Sequence, residues 1–289
     1  MGIKLITDSA CDLPIEYIRE NNIDFASLSV NIKGKFVIDD LGQTLKYNDF
    51  YKLLREGEMP STSQVNVGTF EDIFTKYVEK GESIIYIGLS STLSGTFNSA
   101  SIAREIVLEK NPKADISVID SLSVSLGEGA LVYYACEMIK NGSSKEEVVR
   151  WVEDNKRKVV HAITIDDLSH LKRGGRISSA TAAVGGLLNI KPTLKIDAEG
   201  NVIPGVKIKG KKKVIKYLVD QVKENAVNVE KQVLFICHSD CLSEAELLKE
   251  VILSEVKPKD VIINSIGAVI GTHGGPGILA VAFMANERY

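Results

Sequence analysis

Short apolar runs alternating with stretches of helical length constrain this chain more than any other feature. Ile3–Ile6, Phe25–Ile32, Ser83–Leu89 and Ile116–Ile119 read as strands. Between and after them, Leu13–Asn21, Tyr47–Glu56, Val67–Glu79, Thr96–Lys110 and Gly127–Lys140 read as helices. Asp12 is expected to open the first helix, with Pro14 in its first turn. Thr69 and Asp72 are spaced as a capping box for the third. Gly142 closes the helix ending at Lys140, and Ser143 or Ser144 opens one more through Trp151. Strands alternating with helices of this length predict β-α units around a mostly parallel sheet. Ser83-Ile-Ile-Tyr-Ile-Gly-Leu89 has no polar face, as expected of a strand covered by helices on both sides.

The pattern changes after about residue 158, which predicts an N-terminal α/β domain over 1–158 and a C-terminal α+β domain over 159–289. Val159–Ile165 is strand-like and Ser178–Leu188 is a helix of small residues. Residues 192–209 read as a hairpin turning near Glu199-Gly200. A basic helix at Lys211–Asn225 follows, then strands Val233–Cys237 and Val261–Ser265 around a helix at Ser243–Val256. Ile278–Met284 reads as another aliphatic helix. At 289 residues the chain can bury about three quarters of its unfolded surface, so the fold needs no metal or disulfide. Its 44% hydrophobic and 25% charged residues exclude collagen, coiled coil and disorder. A net charge of −3 argues against a broad electropositive nucleic-acid surface. No signal peptide or apolar run of membrane-spanning length is present, and the four cysteines read as reduced thiols, so a cytoplasmic protein is expected.

Three polar turns are candidates for chemistry. Ser90-Ser-Thr-Leu-Ser-Gly-Thr96 joins an apolar strand to a helix start, where free N–H groups suit an anion and Gly95 lets a ligand approach the backbone. The alternative is a serine-rich cap serving only its own helix. The turn lacks the Gly-Lys-Ser/Thr of a phosphate loop and the closing glycine of a nucleophile elbow. Pro60-Ser-Thr-Ser-Gln64, read as a loop between helices, could close on the same anion from the other side. Gly271-Thr-His-Gly-Gly-Pro-Gly277 places His273 in a glycine-rich turn, able to donate to a carboxylate or phosphate. Lys172-Arg-Gly-Gly-Arg176 puts three cations on a glycine-bent loop that suits a phosphate or an acidic partner. Asp8 reads as a loop-ordering acceptor. Cys237-His-Ser-Asp-Cys241 lacks further partners for zinc, and His161 and His170 are unsupported as ligands.

At these residues the sequence resembles the DegV family, the fatty-acid-binding proteins of bacteria. The segments that match are Thr7–Pro14, Pro60–Gln64, Ser90–Thr96, Asp166–Ile177, Leu187–Pro192 and Gly271–Gly277, in order along nearly the whole chain. The resemblance implies a non-enzymatic lipid carrier without a cofactor, holding a long-chain fatty acid between two domains. It further implies the lipid-carrying subunit of a fatty acid kinase, which presents the carboxylate to a separate ATP-dependent subunit and delivers acyl phosphate toward phospholipid synthesis. Thr62, Ser94 and His273 would hold the carboxylate, with Ser63, Gly95 and Thr272 in supporting places. Lys172, Arg173 and Arg176 would take the phosphoryl group or the kinase. A monomer is the expected state. Lysines at 207 and 209, followed by lysines at 211–213, stand where many members carry a Val-Arg-x-Arg-Lys-like stretch, and Gly274 stands where a larger residue is usual. The residues alone leave two other classes open. In one, a serine-dependent acyl hydrolase or transferase uses Ser94 as nucleophile, His273 as base and Asp8 as orienter. In the other, a sugar- or nucleotide-phosphate enzyme uses the serine turn as an anion cradle.

Overall fold

The computed structural model describes residues 2–177 and 190–288. The helix expected at Ser178–Leu188 and the Leu187–Asn189 part of the matching segment lie outside the described residues. The N-terminal sheet is built from β1 (Ile3–Asp8), β2 (Asp24–Ala26), β6 (Ser83–Gly88) and β7 (Ile116–Asp120), ordered β2-β1-β6-β7 and parallel throughout. A small antiparallel sheet of β3 (Ser29–Ile32), β4 (Lys35–Ile38) and β5 (Ser61–Ser63) lies beside it in the order β4-β3-β5. The C-terminal sheet comprises β8 (Val159–Thr164), β9 (Ile190–Ile196), β10 (Val202–Lys209), β11 (Val233–His238), β12 (Asp260–Ser265) and β13 (Leu279–Met284). Its order is β10-β9-β8-β13-β11-β12, and only β11 and β12 run parallel.

The helices are α1 (Ile15–Glu20), α2 (Tyr47–Arg55), α3 (Val67–Val78), α4 (Thr96–Lys110), α5 (Leu126–Lys140), α6 (Lys145–Asn155), α7 (Ser169–Arg173), α8 (Lys211–Asn225), α9 (Leu242–Glu255) and α10 (Ala268–Gly274). Every residue of β6 is buried, as its sequence requires. On one face Ile84 and Tyr86 pack against Phe70 and Phe74 of α3 and Ala100 and Ala103 of α4. On the other, Ile85 and Ile87 share a core with Leu126, Ala130 and Leu131 of α5. That core continues into Phe235, Cys237, Leu194 and Ala280 of the C-terminal sheet, so α5 is sandwiched between the two large sheets. Close approach there depends on glycine: a Cβ on Gly129 would stand 2.7 Å from the Cys11 carbonyl oxygen. The far face of the C-terminal sheet is closed by α8 and α9 through Leu218, Val222, Leu248 and Ile252.

Several expectations hold as read, among them Ser144 opening α6, where it forms a capping box with Glu147, the 197–201 hairpin turn and the bounds of α4 and α8. Others need correction. The strand expected over Phe25–Ile32 breaks in two, because Leu28 turns into the core and its N–H is taken by the Ser9 hydroxyl. Pro60–Gln64 is not a loop: Ser61–Ser63 pairs with β3, placing Thr62 opposite Val30. Ile278–Met284 is not a helix but mostly β13, the strand between β8 and β11. A short apolar run buried on both faces carries no period to tell strand from helix. His273 sits in the last turn of α10 rather than in a free glycine turn. Asn66, not a Thr69–Asp72 box, caps α3, accepting from the Thr69 N–H. Asp12 does not cap α1, whose N-cap is Pro14. It lies buried in left-handed backbone and reaches across to the C-terminal half.

Candidate functional site

A cavity opens between the N-terminal elements and the inner face of the C-terminal sheet. Its walls are aliphatic, with Leu28, Leu89 and Leu93 on one side and Ile163, Leu194 and Ala280 on the other. Alternation along β8 explains the second wall: Val160 and Ala162 face α8 and α9, while His161 and Ile163 face the cavity. At one end the lining becomes polar with Thr62, Gln64, Ser94, Arg176 and His273.

Different elements deliver these groups to that end. Thr62 projects from edge strand β5, and its Oγ1 and His273 Nε2 share a hydrogen bond of 2.8 Å. Ser94 lies just before α4, where its Oγ accepts the Thr96 N–H at 3.2 Å and meets Thr96 Oγ1 at 2.9 Å. Gln64 bridges the two turns, donating to Ser99 Oγ at 2.9 Å. Gly95 leaves room for it, since a Cβ there would stand 2.2 Å from Gln64 Oε1. Burial, with Arg176 nearby, holds His273 down at about 4, so its ring is neutral at physiological pH. The end thus offers hydroxyls, an amide and one neutral imidazole, with a guanidinium at its edge. That donor set can satisfy a carboxylate without burying an unpaired charge deep in the core.

A second, polar hollow adjoins this end, lined by Met59, Pro60, Ser61, Thr62, His170, Arg173, Gly174, Arg176, Thr272 and His273. Arg173 Nη2 and His170 Nδ1 are 2.9 Å apart, and Arg176 donates to the Leu93 carbonyl at 3.1 Å. Thr62, Arg176 and His273 line both spaces and form the boundary between apolar cavity and basic mouth.

The expected residues are therefore not equivalent. Thr62, Ser94, Gly95 and His273 come together at the cavity end. Ser63 follows Thr62 on the same strand, so its side chain takes the opposite face. Thr272 spends its hydroxyl on the Ala268 carbonyl at 2.8 Å and borders only the mouth. Arg173 and Arg176 line the mouth, whereas Lys172 lines neither space. The sequence reading missed Gln64 as a site residue, and its only signal was adjacency to the hydroxyl run. It also missed His161, whose alternation with Ile163 along β8 gave the signal.

The serine triad is not assembled. Ser94 Oγ bonds Thr96, His273 Nε2 bonds Thr62, and Asp8 is committed elsewhere. Its carboxylate accepts from Tyr86 Oη at 2.7 Å and from the Leu89 and Ala10 N–H groups at 3.0 Å each, the loop-ordering role its position suggested. In the Cys237–Cys241 segment, Cys241 Sγ donates to the Ile278 carbonyl and Asp240 pairs with Arg55. No group of metal-ligating side chains occurs among the described residues. No helix among them is long and apolar enough to cross a membrane.

Comparison with known proteins bears on this geometry. The model of a family described as "Uncharacterised protein, DegV family" matches residues 2–286. A DegV domain-containing protein of Clostridium perfringens is 48% identical over 98% of this chain and 98% of its own. A solved structure described as a DegV lipid binding protein from Thermotoga maritima is 30% identical, covers 100% of both chains and superposes with a TM-score of 0.88. Another, described as DegV, a fatty acid binding protein from Bacillus subtilis, is 31% identical with a TM-score of 0.84, over 99% of this chain and 100% of that one.

Proposed function

This chain belongs to the DegV family, and on that premise we propose that it is a cytoplasmic carrier of a long-chain fatty acid. The acyl chain lies in the aliphatic cavity, and the carboxylate rests among Thr62, Ser94, Gln64 and His273. One observation carries this reading: a cavity with aliphatic walls ends in a cluster of neutral hydrogen-bonding groups. Burying a methylene contributes roughly 0.8 kcal/mol, so a long chain supplies most of its own affinity and the polar end fixes its direction. The solved relatives named above, described as lipid or fatty acid binding, support the same ligand class.

The finer proposal is that the protein presents the carboxylate to a separate ATP-dependent kinase subunit, which forms the acyl phosphate. Support comes from the basic mouth. Arg173 and Arg176 stand beside the carboxylate-holding groups, where guanidinium forks can bind a phosphoryl group or an acidic partner face.

The test is mass spectrometry of the intact protein and of its organic extract. A stoichiometric long-chain fatty acid is expected, with lower retention in Thr62→Val and Ser94→Ala. An empty protein that also fails to take up added palmitate or oleate overturns the carrier reading. For the finer proposal, Arg173→Ala/Arg176→Ala should keep the lipid yet slow acyl-phosphate formation by an added fatty acid kinase subunit. Unchanged turnover would remove the mouth from that role.

A further inference from the structure

Helix α10 carries His273 in its last turn, and its other end is seated by two buried carboxylates from the N-terminal half. Asp12 Oδ1 accepts the Gly267 N–H at 2.8 Å, and Asp39 Oδ2 accepts the Val269 N–H at 3.2 Å. The other oxygens are held from the N-terminal side. Asp12 Oδ2 takes the Ser125 hydroxyl, and Asp39 Oδ1 takes the Leu41 N–H at 3.3 Å. Asn264 donates to the Asp12 carbonyl at 2.7 Å, and Tyr51 Oη donates to the Ile266 carbonyl at 2.8 Å. The seat is tight, since a Cβ on Gly267 would lie 2.8 Å from Asp12 Oδ1 and 3.4 Å from Asp39 Oδ2. Asp39 also follows directly on β4, whose neighbour β3 carries β5 and hence Thr62. Both partners of the Thr62–His273 contact are thereby tied to one junction.

We propose that Asp12 and Asp39 are positioning residues that seat α10 so that its last turn presents His273 to Thr62, coupling closure between the two halves to the grip on the ligand carboxylate. This inference rests on the carrier reading for its ligand, but the seat itself is testable without one.

The junction is also sensitive to pH. The titratable groups facing it are Asp8 at the end of β1, Cys11 from the turn after it, Asp40 beside Asp39, Tyr47 and Tyr51 from α2, Glu128 from α5 and Cys237 from β11. All are acidic or neutral. Burial pushes the Asp39 carboxyl up to about 7 and Asp12 well above the usual carboxylate range. A pKa raised from 3.8 in the seated state means that the proton favours seating, so this contribution is complete below about 4 and is lost as pH rises from there through about 7. Between those two values one such group multiplies the unseated population by up to about tenfold per pH unit, and above about 7 the dependence levels off.

Hydrogen exchange of the 266–274 backbone at pH 5, 6, 7 and 8, corrected for intrinsic rates, tests the seat. In the wild type, protection of this segment should fall between pH 5 and 7 and level off by pH 8, and release of a bound fluorescent fatty acid should accelerate in parallel. Asp39→Asn keeps an acceptor for the Val269 N–H without the charge, so protection should stay higher and vary less with pH, Asp12 alone remaining to titrate. Asp39→Ala removes the acceptor and should expose the segment at every pH, with far-UV circular dichroism checking that the fold survives. If Asp39→Ala does not fold, the contrast between wild type and Asp39→Asn decides the matter. Identical pH profiles for those two proteins overturn the seat. Exchange that follows the expectation while fatty acid release ignores both pH and Asp39→Asn overturns the coupling. A wild type that binds no fatty acid at all fails the carrier reading, and the exchange data still decide the seat.

Discussion

Replacing Arg288 by alanine is expected to cost about 3–5 kcal/mol of stability, although the residue borders neither the cavity nor its mouth and is next to the last in the chain. The residue is 5% exposed, and its guanidinium places all its donors on the protein. Nε donates to the Val159 carbonyl at 2.8 Å, and Nη1 to the Leu122 carbonyl and, at 3.1 Å, to that of Asp197. Nη2 donates to Ser123 Oγ at 2.8 Å and to the Lys156 carbonyl at 2.7 Å. These acceptors come from the turn before α5, the segment entering β8 and the turn after β9, so one side chain ties both halves together. Burial lowers its pKa only to about 10, and it remains cationic at neutral pH. Each buried acceptor left without its donor costs about 1–3 kcal/mol, but water admitted by the truncation restores some of them. The loss should therefore correspond to about two or three acceptors left without a donor rather than to the sum of five bonds. At roughly 2–4 °C per kcal/mol for a chain of this size or somewhat smaller, the melting temperature should drop by about 10 °C. Arg288→Lys keeps the charge but not the fork geometry and should recover only part of the loss. Urea denaturation followed by circular dichroism measures both. A cost below about 1 kcal/mol for the alanine variant would refute the claim that this network holds the halves together.

His161 is buried in the cavity wall, and neither ring nitrogen has a hydrogen-bond partner among the described residues. The Val124 and Val159 carbonyls lie near it but already accept from Gly127 N and Arg288 Nε. Replacing an unpaired imidazole by an apolar group of similar size should be stabilising, so His161→Leu should raise the urea midpoint by the equivalent of about 1 kcal/mol. Burial holds this histidine at about 3, below its ordinary 6.5, so its stabilising contribution is present at high pH and is lost as pH falls below 6.5. Between pH 6.5 and 5 the wild type should therefore lose stability relative to His161→Leu, and parallel pH profiles would contradict the assignment. Gly127→Ala would place a Cβ 1.7 Å from His161 Nε2 and push the ring into the cavity. It should destabilise by about 1–3 kcal/mol and reduce fatty acid uptake. Most of that cost should vanish in Gly127→Ala/His161→Ala, and strict additivity would show that the two sites do not clash.

The limits of what the sequence disclosed follow from which forces act locally. Strand–helix alternation is written into periodicity and caps, so the parallel sheet, α4, α8 and the hairpin at 197–201 could be read directly. Where a run is short and apolar on all sides, as at Leu279–Met284, both periods fit and only pairing with β8 and β11 decides. Where a run is short and polar, as at Ser61–Ser63, its strand character comes entirely from the partner edge of β3. The hydroxyl turns and His273 were visible because clustered serines and glycines are unusual beside strand ends. The groups that hold the halves together were not visible. Asp12, Asp39 and Arg288 are ordinary charged residues at loop positions, where solvation is the default expectation. Their importance arises from burial created by the other half of the chain, since Asp12 meets Gly267 across 255 residues and Arg288 meets Leu122 across 166. Recognition groups that contact a ligand must be distinctive in type and so mark the sequence. Groups that position them need only be polar, buried and paired, and three-dimensional structure alone reveals that condition.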